Sequence, residues 1–73
     1  MSMNTAAFGK LHKTRFAGNG EALCYCKIGK GWQFIIVRGS EGSQVGQFYA
    51  SKDEILSDLY RYATEYGFNG VQS

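Results

Sequence analysis

The chain contains no proline, only two cysteines and no long apolar run, and each of these absences excludes a class of protein. A helix that crosses a bilayer needs about 18–20 apolar residues in succession. The longest apolar run here, Phe34 to Val37, has only the length of a strand. The N-terminus also lacks the basic stretch and apolar segment of a secretory signal. We therefore predict a cytoplasmic protein without membrane contact.

The scarcity of cysteine and histidine argues against chemistry by the protein itself. Cys24 and Cys26 would point to the same face of a strand about 6.5–7 Å apart, too far for an easy disulfide, so we predict reduced, packed thiols. With His12 they offer three ligands, fewer than a closed zinc site needs. No carboxylate near His12 in sequence could orient it as a base. We predict no catalytic residue, metal or cofactor, and no enzymatic activity.

The net charge of +2 conceals an uneven distribution. Residues 1–38 hold six lysines and arginines against one glutamate, a balance of +5. Residues 39–73 hold two against five acidic residues, a balance of −3. We therefore expect a basic sheet side and an acidic helix side. Such a charge dipole steers partners toward one surface.

Four segments have the pattern of strands. Ala22 to Ile28 alternates, with Leu23 and Tyr25 on one face and the two cysteines on the other. Trp32 to Arg38 carries apolar residues on both faces, which is typical of a central strand. Residues 29–31 supply a glycine-flanked turn between them. The predicted strands are Lys10 to Phe16, Ala22 to Ile28, Trp32 to Arg38 and Gln44 to Tyr49.

A C-terminal helix has signals at both ends. Ser51 is a favourable N-cap, and Glu54 three residues later completes a capping box. Gly67 suits the left-handed position that ends a helix, and Phe68 can fold back on Ala63. The apolar stripe between these ends consists of Ile55, Leu56, Leu59, Tyr62, Ala63 and Tyr66.

These elements predict an α+β fold, a three- or four-stranded antiparallel meander followed by one C-terminal helix. We predict a mobile N-terminal arm at residues 1–9 and a single small domain at residues 10–73. One helix covers only one face of a sheet. Because Ile35 and Val37 lie opposite Trp32 and Phe34 on the central strand, the second face must be covered by the N-terminal segment, a second copy or a partner.

Two uses of the aromatic residues at the start of the central strand stay open. The stretch from Lys30 to Ile35 is similar to a strand of cold-shock domains, in which aromatics stack on bases and a lysine meets phosphate. On this alternative Lys30, Trp32 and Phe34 would bind single-stranded nucleic acid. The other interpretation places Trp32 and Phe34 in the core beneath the helix.

The length and layout of the chain, and its basic stretch at residues 8–16, resemble those of the small phage-encoded regulators that bind host RNA polymerase. The resemblance implies non-catalytic binding to a polymerase subunit in the host cytoplasm, with inhibition of initiation or suppression of termination. Another host machine, such as a defence complex, is an alternative target. The sequence leaves the oligomeric state open. We expect apolar anchors and docking charges at Phe8, Lys10, Leu11, Lys13, Arg15, Lys27, Lys30 and Arg38.

Overall fold

A computed structural model describes residues 2–17, 19–68 and 70–71 of the chain, without the side chains of residues 2, 70 and 71. It confirms the α+β class: an antiparallel sheet with one long helix on one face. The strands are β1 (Ser2–Asn4), β2 (His12–Phe16), β3 (Ala22–Ile28), β4 (Gly31–Arg38), β5 (Glu41–Tyr49) and β6 (Gly70–Val71). A 3-10 helix spans Thr5–Phe8, and the helix α1 spans Lys52–Glu65.

The predicted meander is present as β2 to β5, each strand pairing with the next in antiparallel register. The strand order is β1-β5-β4-β3-β2-β6, so the short strands β1 and β6 extend the meander at its two edges. Five strands have three or more residues and the sixth has two, which exceeds the three or four predicted. The edge strands escaped prediction because two or three residues are too few to show alternation.

Helix α1 begins and ends where its sequence signals predict. The Glu54 N–H donates to Ser51 Oγ at 3.2 Å, while the Glu54 carboxylate accepts from the Ala50 N–H at 3.0 Å. At the other end Gly67 has a φ of +84°, and the Phe68 N–H donates to the Ala63 carbonyl at 2.8 Å. This pairing, with Gly67 N–H donating to Thr64 O, is a Schellman motif. The helix is therefore capped by its own sequence at both ends.

The helix face of the sheet carries the larger core. Helix residues Ile55, Tyr62 and Ala63 are buried against it, whereas Leu56 and Tyr66, also placed on the predicted stripe, are 39% and 56% exposed. The buried face of the helix is therefore narrower than the predicted apolar stripe. The buried members of this core are Leu23, Tyr25, Phe34, Tyr49, Ile55, Tyr62, Ala63 and Phe68.

The second face of the sheet is covered by the N-terminal segment. Phe8, the last residue of the 3-10 helix, is 8% exposed and packs on a core of Ala22, Cys24, Cys26, Ile35 and Val37. The sequence left open three possible covers for this face: the N-terminal segment, a second copy or a partner. In the structure the N-terminal segment lies there.

Within the segment predicted as a mobile arm, residues 1–9, the structure has the strand β1 and the 3-10 helix. Strand β1 pairs with β5, and the Thr5 N–H donates to the Ser40 carbonyl at 2.8 Å. The physical reason is the apolar second face, because Phe8 is the large side chain within reach of it. Residue 1 lies outside the described residues.

Gly42 on β5 lies beneath the ring of Phe8, where there is little space for a side chain. A Cβ atom at Gly42 would lie 2.9 Å from Ile35 Cγ2 and 3.1 Å from Phe8 Cε2. Only glycine leaves room for the phenyl ring at this position. The β5 strand is thus shaped to accept the N-terminal segment.

Within the described ranges, no helix is both long and apolar enough to cross a membrane.

Candidate binding surface

Three of the predicted docking lysines lie at one end of the sheet. Strand β2 begins at this end, β3 finishes here, and the turn at residues 29–30 connects β3 to β4. Lys10 precedes β2, Lys27 lies near the end of β3, and Lys30 lies in the turn. Helix α1 starts just after β5 finishes at the same end, and this adds Lys52. We call the surface formed by Lys10, Lys27, Lys30 and Lys52 the basic end.

An aromatic cluster lies on the helix face of the sheet at the basic end. The rings of His12 and Tyr25 stack with centroids 4.8 Å apart and an interplanar angle of 13°. Trp32 is tilted against both rings, at 5.9 Å from Tyr25 and 6.4 Å from His12. Tyr25 is buried, whereas His12 and Trp32 are partly exposed. The three rings come from three adjacent strands, so that the tryptophan packs against side chains of its neighbours.

The lysines of the basic end act electrostatically on this cluster. Burial lowers the pKa of His12, and the positive charges of Lys10 and Lys52 lower it further. Lys27 lies directly opposite Trp32 in the β3–β4 register and is exposed. Cations thus border a partly exposed indole.

Acidic residues are few at the basic end. Asp53 and Glu54 lie in the first turn of α1, and the Glu54 carboxylate is engaged by the Ala50 N–H. None of the four lysines forms a salt bridge within the described ranges. The two paired arginines differ from them: Arg38 pairs with Glu21 at 3.2 Å, and Arg61 pairs with two carboxylates of its own helix.

The other predicted docking charges lie elsewhere. Lys13 pairs with Cys24 in the register and faces the second side of the sheet. Arg15 is partly buried opposite Leu23. Arg38 lies at the opposite end of the sheet, beside Glu21. The predicted charges therefore do not share one surface.

The two predicted apolar anchors face inward. Phe8 is buried in the second core, and Leu11 is partly buried against the same cluster. Both side chains are used within the chain, because they cover the second face of the sheet. In this conformation Phe8 is not available to a partner.

The two aromatic residues of the nucleic-acid alternative, Phe34 and Trp32, differ in their exposure. Phe34 is fully buried, with its ring 4.6 Å from that of Tyr62 in a stacked arrangement. It cannot stack on a base, because the helix covers it. Trp32 keeps part of its surface exposed next to Lys27 and Lys30. Phe34 is therefore a core residue, whereas Trp32 is only partly buried against the core.

The two thiols lie in the second core. Burial raises the pKa of Cys24 to about 11 and also raises that of Cys26. Both are fully buried and reduced. No group of three or more metal-ligating side chains gathers in the part of the chain that the structure describes.

One carboxylate, that of Asp58, lies between the helix and the sheet. Asp58 accepts two hydrogen bonds from the Arg61 guanidinium, both at 2.7 Å, and one from the Tyr49 hydroxyl at 2.5 Å. These donors hold the pKa of Asp58 below its usual range. A carboxylate stabilised in this way is a poor proton acceptor, so the cluster fixes the helix on the sheet and does not form a catalytic base.

The sequence did not indicate one lysine of the basic end, Lys52, or two rings of the aromatic cluster, His12 and Tyr25. Lys52 was not among the predicted docking residues, because it lies in the acidic half of the chain. His12 and Tyr25 were considered only separately, although both fall on the strand parity that faces the helix. The alternation of β2 and β3 carried this signal, but only the register brings the two rings together.

No family model, no curated protein and no solved structure matches this chain.

Proposed function

We propose that the protein is a non-catalytic regulator of phage type that binds host RNA polymerase and alters transcription, by inhibiting initiation or suppressing termination. The observation that carries the proposal is the basic end, where four lysines that pair with no carboxylate among the described residues lie near the aromatic cluster. Charged groups around a partly apolar centre are the usual arrangement of a protein-binding surface. The resemblance of the whole-chain plan to phage regulators supplies the target.

The mode of action is steric or conformational. In support of this, the thiols of Cys24 and Cys26 are buried, and the Asp58 carboxylate is held by its donors. A small basic module can occupy an acidic surface of the polymerase and block a σ factor or a terminator signal from acting there. Long-range charge raises the association rate, and the apolar contacts lengthen the lifetime of the complex.

The test is capture of purified bacterial RNA polymerase by the tagged, full-length protein after nuclease treatment. We expect retention of the polymerase in low salt and a change in single-round transcription from a σ-dependent promoter or through a terminator. Failure to bind both core enzyme and holoenzyme would contradict the proposal.

Deleting residues 1–16 is unsuitable as a test of the interface. The deletion removes β1, β2 and Phe8, and it would expose the second core. Loss of binding would then report unfolding. Substitutions of exposed lysines avoid this problem, because surface changes away from packed groups have small effects on stability.

A second candidate function, binding of single-stranded nucleic acid, is favoured by the position of Trp32 beside Lys27 and Lys30. Base stacking on the indole would quench its fluorescence, and affinity would fall steeply with salt. Titration of the protein with an oligothymidylate at low salt tests this. Absence of quenching would remove the candidate.

Inhibition of another host machine, such as a defence complex, relies on the same kind of surface. The charge and aromatic arrangement of the basic end does not depend on which acidic protein it meets. Capture from a nuclease-treated bacterial lysate, followed by identification of the retained protein, distinguishes this target from RNA polymerase.

A further inference from the structure

We propose that the basic end docks on an acidic protein segment that places an apolar side chain against Trp32. This inference rests on the proposed function and specifies its interface. It assigns the contact to Lys27, Lys30, Lys52 and Trp32, and it excludes the N-terminal segment and Arg38 from the centre of the interface.

The first argument is the packing of the tryptophan against two neighbouring rings. Its ring lies against Tyr25 at 5.9 Å and against His12 at 6.4 Å, and both of these rings belong to neighbouring strands. An anchor held by its neighbours loses little side-chain entropy on binding. The exposed part of Trp32 is therefore a ready contact for one apolar side chain of a partner.

The second argument is charge complementarity. Carboxylates of the chain neutralise Arg38 and Arg61, but no carboxylate pairs with the lysines of the basic end within the described residues. The lysines also act on the aromatic cluster, because Lys10 and Lys52 add to the lowering of the His12 pKa that burial causes. An acidic segment supplies counter-charges that the described part of the chain does not.

The third argument favours protein over nucleic acid. Much of the ring surface of the cluster is already in use, because Tyr25 is buried and His12 stacks on it. Asp53 and Glu54 in the first turn of α1 interrupt any continuous track for phosphates. The charge of the whole chain is only +2. A short segment with a few carboxylates suits this surface better than a polyanion does.

The experiment compares two double charge reversals that alter net charge equally. Lys27→Glu with Lys30→Glu changes the basic end, whereas the matched control, Lys13→Glu with Arg38→Glu, changes other surfaces. Circular dichroism and melting temperature establish that both variants are folded. Binding to purified RNA polymerase is followed by the fluorescence of Trp32, the only tryptophan in this protein, with the polymerase background subtracted.

We expect the basic-end variant to bind at least tenfold more weakly and the control to remain within about threefold of the wild type. Equal weakening of both variants, or none, would overturn the assignment of the interface while leaving polymerase binding itself intact. Absence of binding by the wild type would instead contradict the proposed function.

Two defined probes test the chemistry of the partner independently of the polymerase. A peptide of alternating glutamate and leucine should shift Trp32 emission to shorter wavelength, and a glutamine–leucine peptide of equal length should not. An equal response to both peptides, or none to either, contradicts recognition of an acidic segment. Quenching by an oligothymidylate at physiological salt without a response to the acidic peptide would assign the surface to nucleic acid.

Discussion

Tyr49 donates its phenolic hydrogen to Asp58 at 2.5 Å and thereby joins the end of β5 to the second turn of α1. Burial raises the pKa of Tyr49 to about 12, and the negative charge of Asp58 adds to the increase. The neutral phenol is therefore favoured in the folded state. The contact is a polar link between helix and sheet at the border of the larger core.

This link predicts a loss of stability in alkaline solution. A tyrosine in the unfolded chain ionises near pH 10. The stabilisation is therefore complete below about pH 10 and is lost as the pH rises toward about 12. By linkage, the free energy of unfolding should fall by about 2 kcal/mol between pH 8 and pH 11.5. Urea unfolding at pH 8 and pH 11.5 measures it.

The matched variant for this prediction is Tyr49→Phe. It should cost about 1 kcal/mol at pH 8, since Asp58 keeps its two bonds to Arg61. Between the two pH values it should lose less stability than the wild type. If the variant and the wild type lose equal stability, Tyr49 is not responsible for the alkaline dependence.

Gly42→Ala should destabilise the fold through the contact with the N-terminal segment. The added Cβ would lie 2.9 Å from Ile35 Cγ2, closer than such atoms normally approach. We expect a loss of about 1–3 kcal/mol in the free energy of unfolding, typical of an overpacked core. Gln44→Ala, at an exposed position on the same strand face, serves as the control and should change stability little.

Phe8→Ala should expose the thiols of the second core. Truncation of a buried phenylalanine costs about 3–5 kcal/mol and opens the face above Cys24 and Cys26. In folding buffer we expect both cysteines to react faster with a thiol reagent than in the wild type. Met3→Ala, a change at a 38% exposed residue of β1, is the control. Unchanged thiol reactivity in Phe8→Ala would contradict the cover described for Phe8.

Ser51→Ala should weaken the start of α1. The variant removes the acceptor of the Glu54 N–H, and loss of an N-cap costs about 1 kcal/mol. For a domain of this size that corresponds to a decrease of about 4–8 °C in melting temperature. Ser57→Ala, within the same helix, removes only an exposed bond to the Glu54 carbonyl and should have a smaller effect. A larger effect at position 57 would contradict the capping role of Ser51.

Local signals predicted much of this fold correctly. The boundaries of β3 match the prediction residue for residue, and Ser51 and Gly67 mark the ends of the helix. Such features depend on neighbours in sequence, because alternation and capping are properties of a few consecutive residues. The assignment of Cys24 and Cys26 to the face opposite Tyr25 follows from the same reasoning.

The parts that sequence did not supply depend on contacts between distant segments. Nothing near Phe8 indicates that its ring reaches Gly42. The basic end likewise combines Lys10 and Lys52, which are far apart in the sequence although both act on His12. Charge in each half of the chain was evident, but the register and the helix position determine which lysines share a surface.

The pairing of β1 with β5 has a consequence for the order of folding. The hairpins β3–β4 and β4–β5 close through turns of two residues, whereas β1 must find a strand from much later in the chain. Loop closure over the longer distance costs more entropy, so we expect the N-terminal segment to dock after the meander has formed. By the same reasoning it should be the first part to open in the native state. Amide hydrogens of residues 3–5 should then exchange sooner than those of β3 and β4, so that the second core opens locally while the helix face stays intact.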